Sequence, residues 1–293
     1  MLGEVLTAMV TPFKADGSVD YDRYRELATF LVDNGSDGVV TFGTTGESPT
    51  LSDGEKLELL TVALDAVGDR ATVVAGAGTY STAHSVHLTE RAQELGAHAI
   101  LVVTPYYNKP PQRGIVEHFR AIAAVTDLPV IAYNIPSRVV VNIETATFAE
   151  LAEIPNVTAV KQAHDDLDEA RAIVELGLDL YSGDDNVLFP FLRVGAKGVV
   201  SVLAHVVGRQ LKAMCRAYAE GDEEGARRID EELAPAYEIL KVAINPIPIK
   251  AALNLLGHEV GGYRLPMVPP TDDELAQVRG CLERLGLRVP AAA

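Results

Sequence analysis

Short, near-continuous apolar runs alternate along this chain with longer segments in which apolar residues recur every three to four positions. Runs of four to seven residues, rich in Val and Ile, with both faces apolar, predict strands covered on both sides. The 3.6-residue period of the intervening segments predicts amphipathic helices. The pairs are Val5–Thr11 with Tyr21–Asn34, Gly38–Phe42 with Ser52–Val67, Thr72–Ala75 with Ser81–Leu95, and Ala99–Val103 with Gly114–Val125. The second half repeats the theme: Val130–Tyr133 with Glu144–Ala152, Val157–Lys161 with Asp165–Glu175, Leu178–Ser182 with Asn186–Arg193, and Gly198–Val202 with Val206–Ala219. Ser52 followed three residues later by Glu55 has the spacing of a capping box. Eight consecutive βα units predict an α/β fold, a closed (β/α)8 TIM barrel rather than an open doubly wound sheet.

Beyond residue 222 the strands cease. Asp222–Ala243, Pro246–Leu256 and Thr271–Leu285 read as helices, punctuated by Gly257, Gly261, Gly262, Pro266, Pro269 and Pro270. The expected organisation is a barrel over residues 1–221 and a C-terminal helical extension over 222–293.

Composition narrows the function classes. A formal net charge of −16 disfavours nucleic acid and anionic membrane as partners. It leaves room for a small anion held by a few local cations and backbone N–H groups. Cys215 and Cys281 lie in separate helical stretches without a CxxC pair, which predicts two reduced thiols. The opening Met-Leu-Gly-Glu has neither the basic start nor the apolar region of a signal peptide, and no apolar run reaches membrane-spanning length. A cytoplasmic protein is expected. No histidines form HxH or HxxxH pairs, and Asp184-Asp185 alone is too few ligands, so no metal is expected.

In such a barrel the chemistry gathers where strands end. Among the lysines only Lys161 caps the exit end of an apolar strand, Val157–Val160. An amine in an apolar barrel mouth loses hydration of its charged form, which lowers its pKa and lets it attack a ketone to give an imine. The structural alternative is a cation paired with Asp184 or Asp185. Hydroxyl groups able to relay protons stand at other strand ends: Thr44, Tyr107 and Tyr133. Gly43 and Gly46 bracket Thr44-Thr45 in a turn suited to presenting N–H groups to a carboxylate, without the spacing of a nucleotide loop. Arg138 follows Pro136 in a loop and can hold a carboxylate through paired hydrogen bonds. Asp165, Asp166, Asp168 and Glu169 are explained by the start of a helix.

The segments Gly43-Thr44-Thr45-Gly46-Glu47-Ser48, Thr104-Pro105-Tyr106-Tyr107-Asn108, Tyr133-Asn134-Ile135-Pro136-Ser137-Arg138, Lys161 and Asn245-Pro246-Ile247-Pro248 together resemble the dihydrodipicolinate synthase family, within the pyruvate aldolases. The likeness runs from Thr11-Pro12 to Arg264-Leu265-Pro266. It implies that Lys161 condenses with pyruvate and that the enamine adds to L-aspartate 4-semialdehyde. It further implies Tyr133 as proton donor and acceptor, with Thr44 and Tyr107 completing the relay and Tyr107 reaching in from a partner subunit. Thr45 and the backbone at Val200 would hold pyruvate, and Arg138 the carboxylate of the aldehyde. A homotetramer, built as a dimer of dimers, with no cofactor is implied. The chain departs from the family pattern at Gln162, His164 and Val139-Val140, which flank the site without touching the lysine. Lysine-inhibited members carry Glu where this chain has His84 and Asn where it has Tyr80, so weak or absent feedback inhibition is expected. Two other readings fit the same residues: a sister aldolase (N-acetylneuraminate lyase or a 2-keto-3-deoxy sugar acid aldolase), or a non-catalytic barrel that binds a carboxylate.

Overall fold

A computed structural model describes residues 2–290, so the last three residues of the expected extension lie outside it. Eight parallel strands pair each with the next, and β1 with β8, closing the barrel. They are β1 Val5–Ala8, β2 Gly38–Thr41, β3 Thr72–Gly76, β4 Ala99–Val103, β5 Val130–Asn134, β6 Val157–Gln162, β7 Asp179–Ser182 and β8 Gly198–Ser201. The helices that return the chain are α1 Tyr21–Asp33, α2 Asp53–Val67, α3 Thr82–Leu95, α4 Gln112–Ala123, α6 Thr145–Ala152, α7 Leu167–Glu175, α8 Leu188–Arg193 and α9 Ala204–Ala219. A four-residue helix, α5 Pro136–Val139, interrupts the connection after β5. The sequence pattern does not predict it, because one helical turn is too short to carry a period.

Strand alternation divides the core in two. Leu6, Val40, Val74, Ala99, Leu101, Ile131, Ala159, Tyr181 and Val200 point inward and fill the barrel. The intervening residues, such as Val5, Val39, Val73, Ile100, Val130 and Val160, face the helices. Being buried on both faces is why the strand runs read as continuously apolar.

The predicted capping box is present. Ser52 accepts from the N–H of Glu55, and Glu55 accepts from the N–H of Ser52. The segment Asp222–Ala243, expected as one helix, is two: α10 Glu223–Glu232 and α11 Ala234–Val242. Pro235 lies in the first turn of α11, where its missing N–H goes unused; inside a continuous helix it would break the ladder. Helices α12 Ile247–Leu255 and α13 Asp272–Arg284 complete the chain. Residues of these helices, among them Ala226, Ile239, Leu253 and Val278, belong to the same apolar core as the outer strand faces. Both cysteines are buried and free, and no helix is long and apolar enough to cross a membrane among the described residues.

Two buried histidines give the fold a pH dependence. His205 accepts from the N–H of Val10 through Nε2 (3.2 Å) and pairs through Nδ1 with Val202 O (2.7 Å), tying the end of β1 to the turn after β8. Because the Val10 N–H can only donate, Nε2 must stay unprotonated. Burial pushes the pKa of His205, and likewise of His118, down to about 4. The unfolded chain, with histidines near 6.5, therefore binds more protons between these values, and stability present above pH ~6.5 is lost as pH falls toward 4. From pH 7 to 5 the two histidines together should remove about 4 kcal/mol. Urea unfolding midpoints at the two pH values check this, and equal midpoints would refute it.

Candidate active site

The end of β5 and the end of β6 are in register, with Tyr133 opposite Lys161 and Asn134 opposite Gln162. Alternation turns Tyr133 and Lys161 inward. Both are buried, and Lys161 Nζ lies 4.0 Å from the centre of the Tyr133 ring. The Thr104 N–H and hydroxyl both donate to the carbonyl of Tyr133 (2.9 Å each), which fixes the backbone from which the ring projects. The lysines that form ion pairs are Lys56, Lys212 and Lys250; among the described residues Lys161 does not. The structural alternative for Lys161 named its carboxylates. Asp185 instead accepts from the Ser201 hydroxyl and from the N–H groups of Val202 and Leu203 (3.0 and 3.2 Å). Asp184 still reaches solvent; desolvation by the surrounding protein raises its pKa, against the opposing pull of Lys161 and Arg138. A buried amine without a carboxylate on it is available to react.

The turn after β2 carries Thr44 and Thr45. Hydrogen bonds from Gly46 N to Gly43 O (3.1 Å) and from Glu47 N to Thr44 O (3.1 Å) hold it. The N–H groups of Thr44 and Thr45 have no hydrogen-bond partner among the described residues, which suits them to an anion. The two glycines expected to shape this turn are not equivalent. A Cβ on Gly46 would lie 3.0 Å from Met9 O, whereas one on Gly43 would meet nothing nearer than 3.8 Å. The left-handed steps fall instead on Phe42 (φ 36°) and Glu47 (φ 56°). A cavity of about 70 Å³ opens beside the turn, lined by Thr44, Ser48, Pro49, Tyr106 and Tyr133 among others. Lys161 does not line it; its proximity to the Tyr133 ring is what connects the amine to this space.

The other expected residues are distributed unevenly. Thr45 is buried and its hydroxyl accepts from Asn245 Nδ2 (2.9 Å). Val200 is fully buried in β8, opposite Leu6 of β1. Arg138, on α5, is exposed and donates through Nη2 to Asn245 O (3.1 Å). Tyr107 stands apart: it is 92% exposed with φ 71°, and its neighbour Tyr106 lines the cavity instead, packed edge-on against Tyr80 at 5.4 Å. Within one chain Tyr107 is thus not part of the site. Val140, one of the departures from the family pattern, ends α5 in the left-handed conformation (φ 66°), which a β-branched residue rarely adopts. Its cost, of order 1–3 kcal/mol, is borne next to Arg138.

Two further lysines are buried, Lys56 and Lys250. Lys250, on α12, is fully buried, donates to Glu47 Oε1 (2.8 Å) and Thr11 O (2.9 Å), and lies over the Phe13 ring. Glu47 Oε2 accepts from the N–H of Arg264 (3.1 Å). Asn245 was legible only as part of a motif; no sequence signal shows that it spans Thr45 and Arg138. Both features bring the C-terminal helices to the turn that holds Thr44.

The Dihydrodipicolinate synthetase family model matches residues 1–285 of the chain. A 4-hydroxy-tetrahydrodipicolinate synthase of Moorella thermoacetica is 50% identical over 288 residues, covering 97% of this chain and 99% of the relative. One from Mycolicibacterium paratuberculosis is 52% identical over 275 residues, 94% of this chain and 92% of the relative. Among solved structures, the lysine-bound enzyme of Cyanidioschyzon merolae superposes with a TM-score of 0.96 at 43% identity, covering 98% of this chain and 99% of that one. The near-complete coverage of both partners in each comparison, together with the paired lysine and tyrosine, places this chain in the dihydrodipicolinate synthetase family.

Proposed function

We propose that this chain is a 4-hydroxy-tetrahydrodipicolinate synthase that condenses pyruvate with L-aspartate 4-semialdehyde on the route to diaminopimelate and lysine. The observation that carries the reading is the buried Lys161 amine beside Tyr133, free of any ion pair. The amine adds to the ketone of pyruvate, and water leaves as the imine forms. Loss of a proton from the methyl group gives an enamine, whose carbon attacks the aldehyde. Tyr133 and Thr44 move the protons, the free N–H groups of Thr44 and Thr45 take the pyruvate carboxylate, and the family resemblance adds the Val200 backbone to its holders. Arg138 takes the carboxylate of the second substrate.

Tyr107 completes the relay only from a second subunit, and its exposure supports an assembly, the homotetramer, in which it is covered. Two free thiols support a reducing cytoplasm. The helices after residue 221 form an extension to the barrel that also buttresses the site.

Enzyme supplied with pyruvate and a panel of aldehydes should form product with aspartate semialdehyde and none with N-acetylmannosamine or glyceraldehyde. Turnover of a sugar aldehyde alone would reassign it to a sister aldolase. In the lysine-inhibited pattern position 84 is an acid; here His84 is bound by Asp53 (2.9 Å) and Tyr80 packs on Tyr106. Millimolar lysine should therefore leave the rate nearly unchanged, and strong inhibition below a millimolar would refute this.

A further inference from the structure

On the outer face of the barrel, directly behind Tyr133 and Lys161, lies a buried polar cluster. Asn134 and Gln162 follow Tyr133 and Lys161 in sequence, so alternation turns them outward. Asn134 Nδ2 donates to Gln162 Oε1 (3.0 Å) and to Asn142 Oδ1 (2.6 Å), and Asn134 Oδ1 accepts from the N–H of Ile143 (3.1 Å). The hub is Glu169 on α7. Its carboxylate accepts from Gln162 Nε2 (2.5 Å) and Asn142 Nδ2 (2.9 Å), and pairs with His164 Nδ1 (3.1 Å). Gln162 and Asn134 are fully buried, and the Glu169 side chain is 9% exposed. Two of the residues that depart from the family pattern, Gln162 and His164, are thus partners of one carboxylate.

We infer that Glu169 is a positioning residue. Through Gln162 and Asn134 it holds the ends of β5 and β6, and so the Tyr133–Lys161 spacing. Through Asn142 it holds the chain that leaves the Arg138 helix. The inference rests on the Schiff-base reading above. A buried hydrogen-bonded network rigidifies its surroundings, and mismatching the pair at its centre disturbs its neighbours. Gln162 Nε2 supplies the hydrogen of the bond to Glu169 Oε2. An acid there would set two carboxylates 2.5 Å apart.

The test is an exchange. Gln162→Glu should lower kcat and the rate of borohydride-trappable imine formation with pyruvate about tenfold or more, since small misplacements of reacting groups are that costly. The double variant Gln162→Glu/Glu169→Gln restores one amide facing one carboxylate and should recover both rates to within about threefold, a non-additivity that independent sites do not show. Asn142→Ala, which removes one partner each from Asn134 and Glu169, should raise KM for the semialdehyde several-fold and lower the trapping rate with pyruvate less than Gln162→Glu does. Circular dichroism and Tm establish that each variant is folded. Gln162→Glu at the parent rate, or a folded double variant no better than the single, would overturn the inference, as would an Asn142→Ala variant with an unchanged KM. If the parent protein itself formed no adduct, the Schiff-base reading would fall first and leave nothing to position.

Discussion

Lys161→Ala is expected to erase the covalent adduct that borohydride traps with pyruvate and to reduce product formation to background. On the proposed mechanism the Lys161 amine forms the bond to pyruvate, so removing it removes the adduct. Mass spectrometry of the reduced protein reads the outcome directly: one adduct per chain in the parent, none in the variant. Tyr133→Phe keeps the ring that faces Lys161 Nζ at 4.0 Å and removes only the hydroxyl. It should form the adduct slowly, with turnover down roughly 10²- to 10⁴-fold, the usual range for a lost proton-transfer group. An adduct persisting in Lys161→Ala would move the chemistry to another lysine, and a parent protein without one would leave a carboxylate-binding barrel as the better account.

The second large effect belongs to Lys250, whose side chain is fully buried. Lys250→Met should destabilise the protein by about 3–5 kcal/mol, because it strands the Glu47 carboxylate in the interior. Burial pushes the pKa of Lys250 down while Glu47 pulls it back up, so the buried ammonium depends on its carboxylate partner. For a chain of this size the loss corresponds to a fall in Tm of roughly 10 °C. Glu47 is three residues from Thr44, so KM for pyruvate should rise as well. The double variant Lys250→Met/Glu47→Gln leaves no unpaired charge and should recover most of the Tm. A single variant with unchanged Tm would show that the ion pair does not hold the turn.

The strand ends were readable because barrel chemistry and barrel topology share one rule: inward residues at the exit ends of strands meet each other. Lys161 and Tyr133 obey it, and their pairing across β5 and β6 follows from parallel register. Tyr107 obeys it in sequence but not in one chain, since a left-handed backbone throws its side chain outward. Lys250 was passed over for the opposite reason. A lysine within a helix reads as solvated, and only the folding of α12 against the turn after β2 buries it. The glycine rule held only in part: Gly46 is needed where the turn approaches Met9 O, but the left-handed steps fall on Phe42 and Glu47, and Glu47 is held there by partners distant in sequence.

What this sequence determined by itself is the alternation of eight strands and helices, and with it the barrel and the lysine at the end of β6. These depend on periodicity and neighbours a few residues apart, which local hydrophobic burial dictates. Only the tertiary structure decided which polar groups meet across the chain: Asn245 between Thr45 and Arg138, Lys250 on Glu47, and Glu169 on Gln162, His164 and Asn142. Hydrogen bonds are directional and short, so partners separated by up to some two hundred residues are set by packing geometry, which periodicity does not encode.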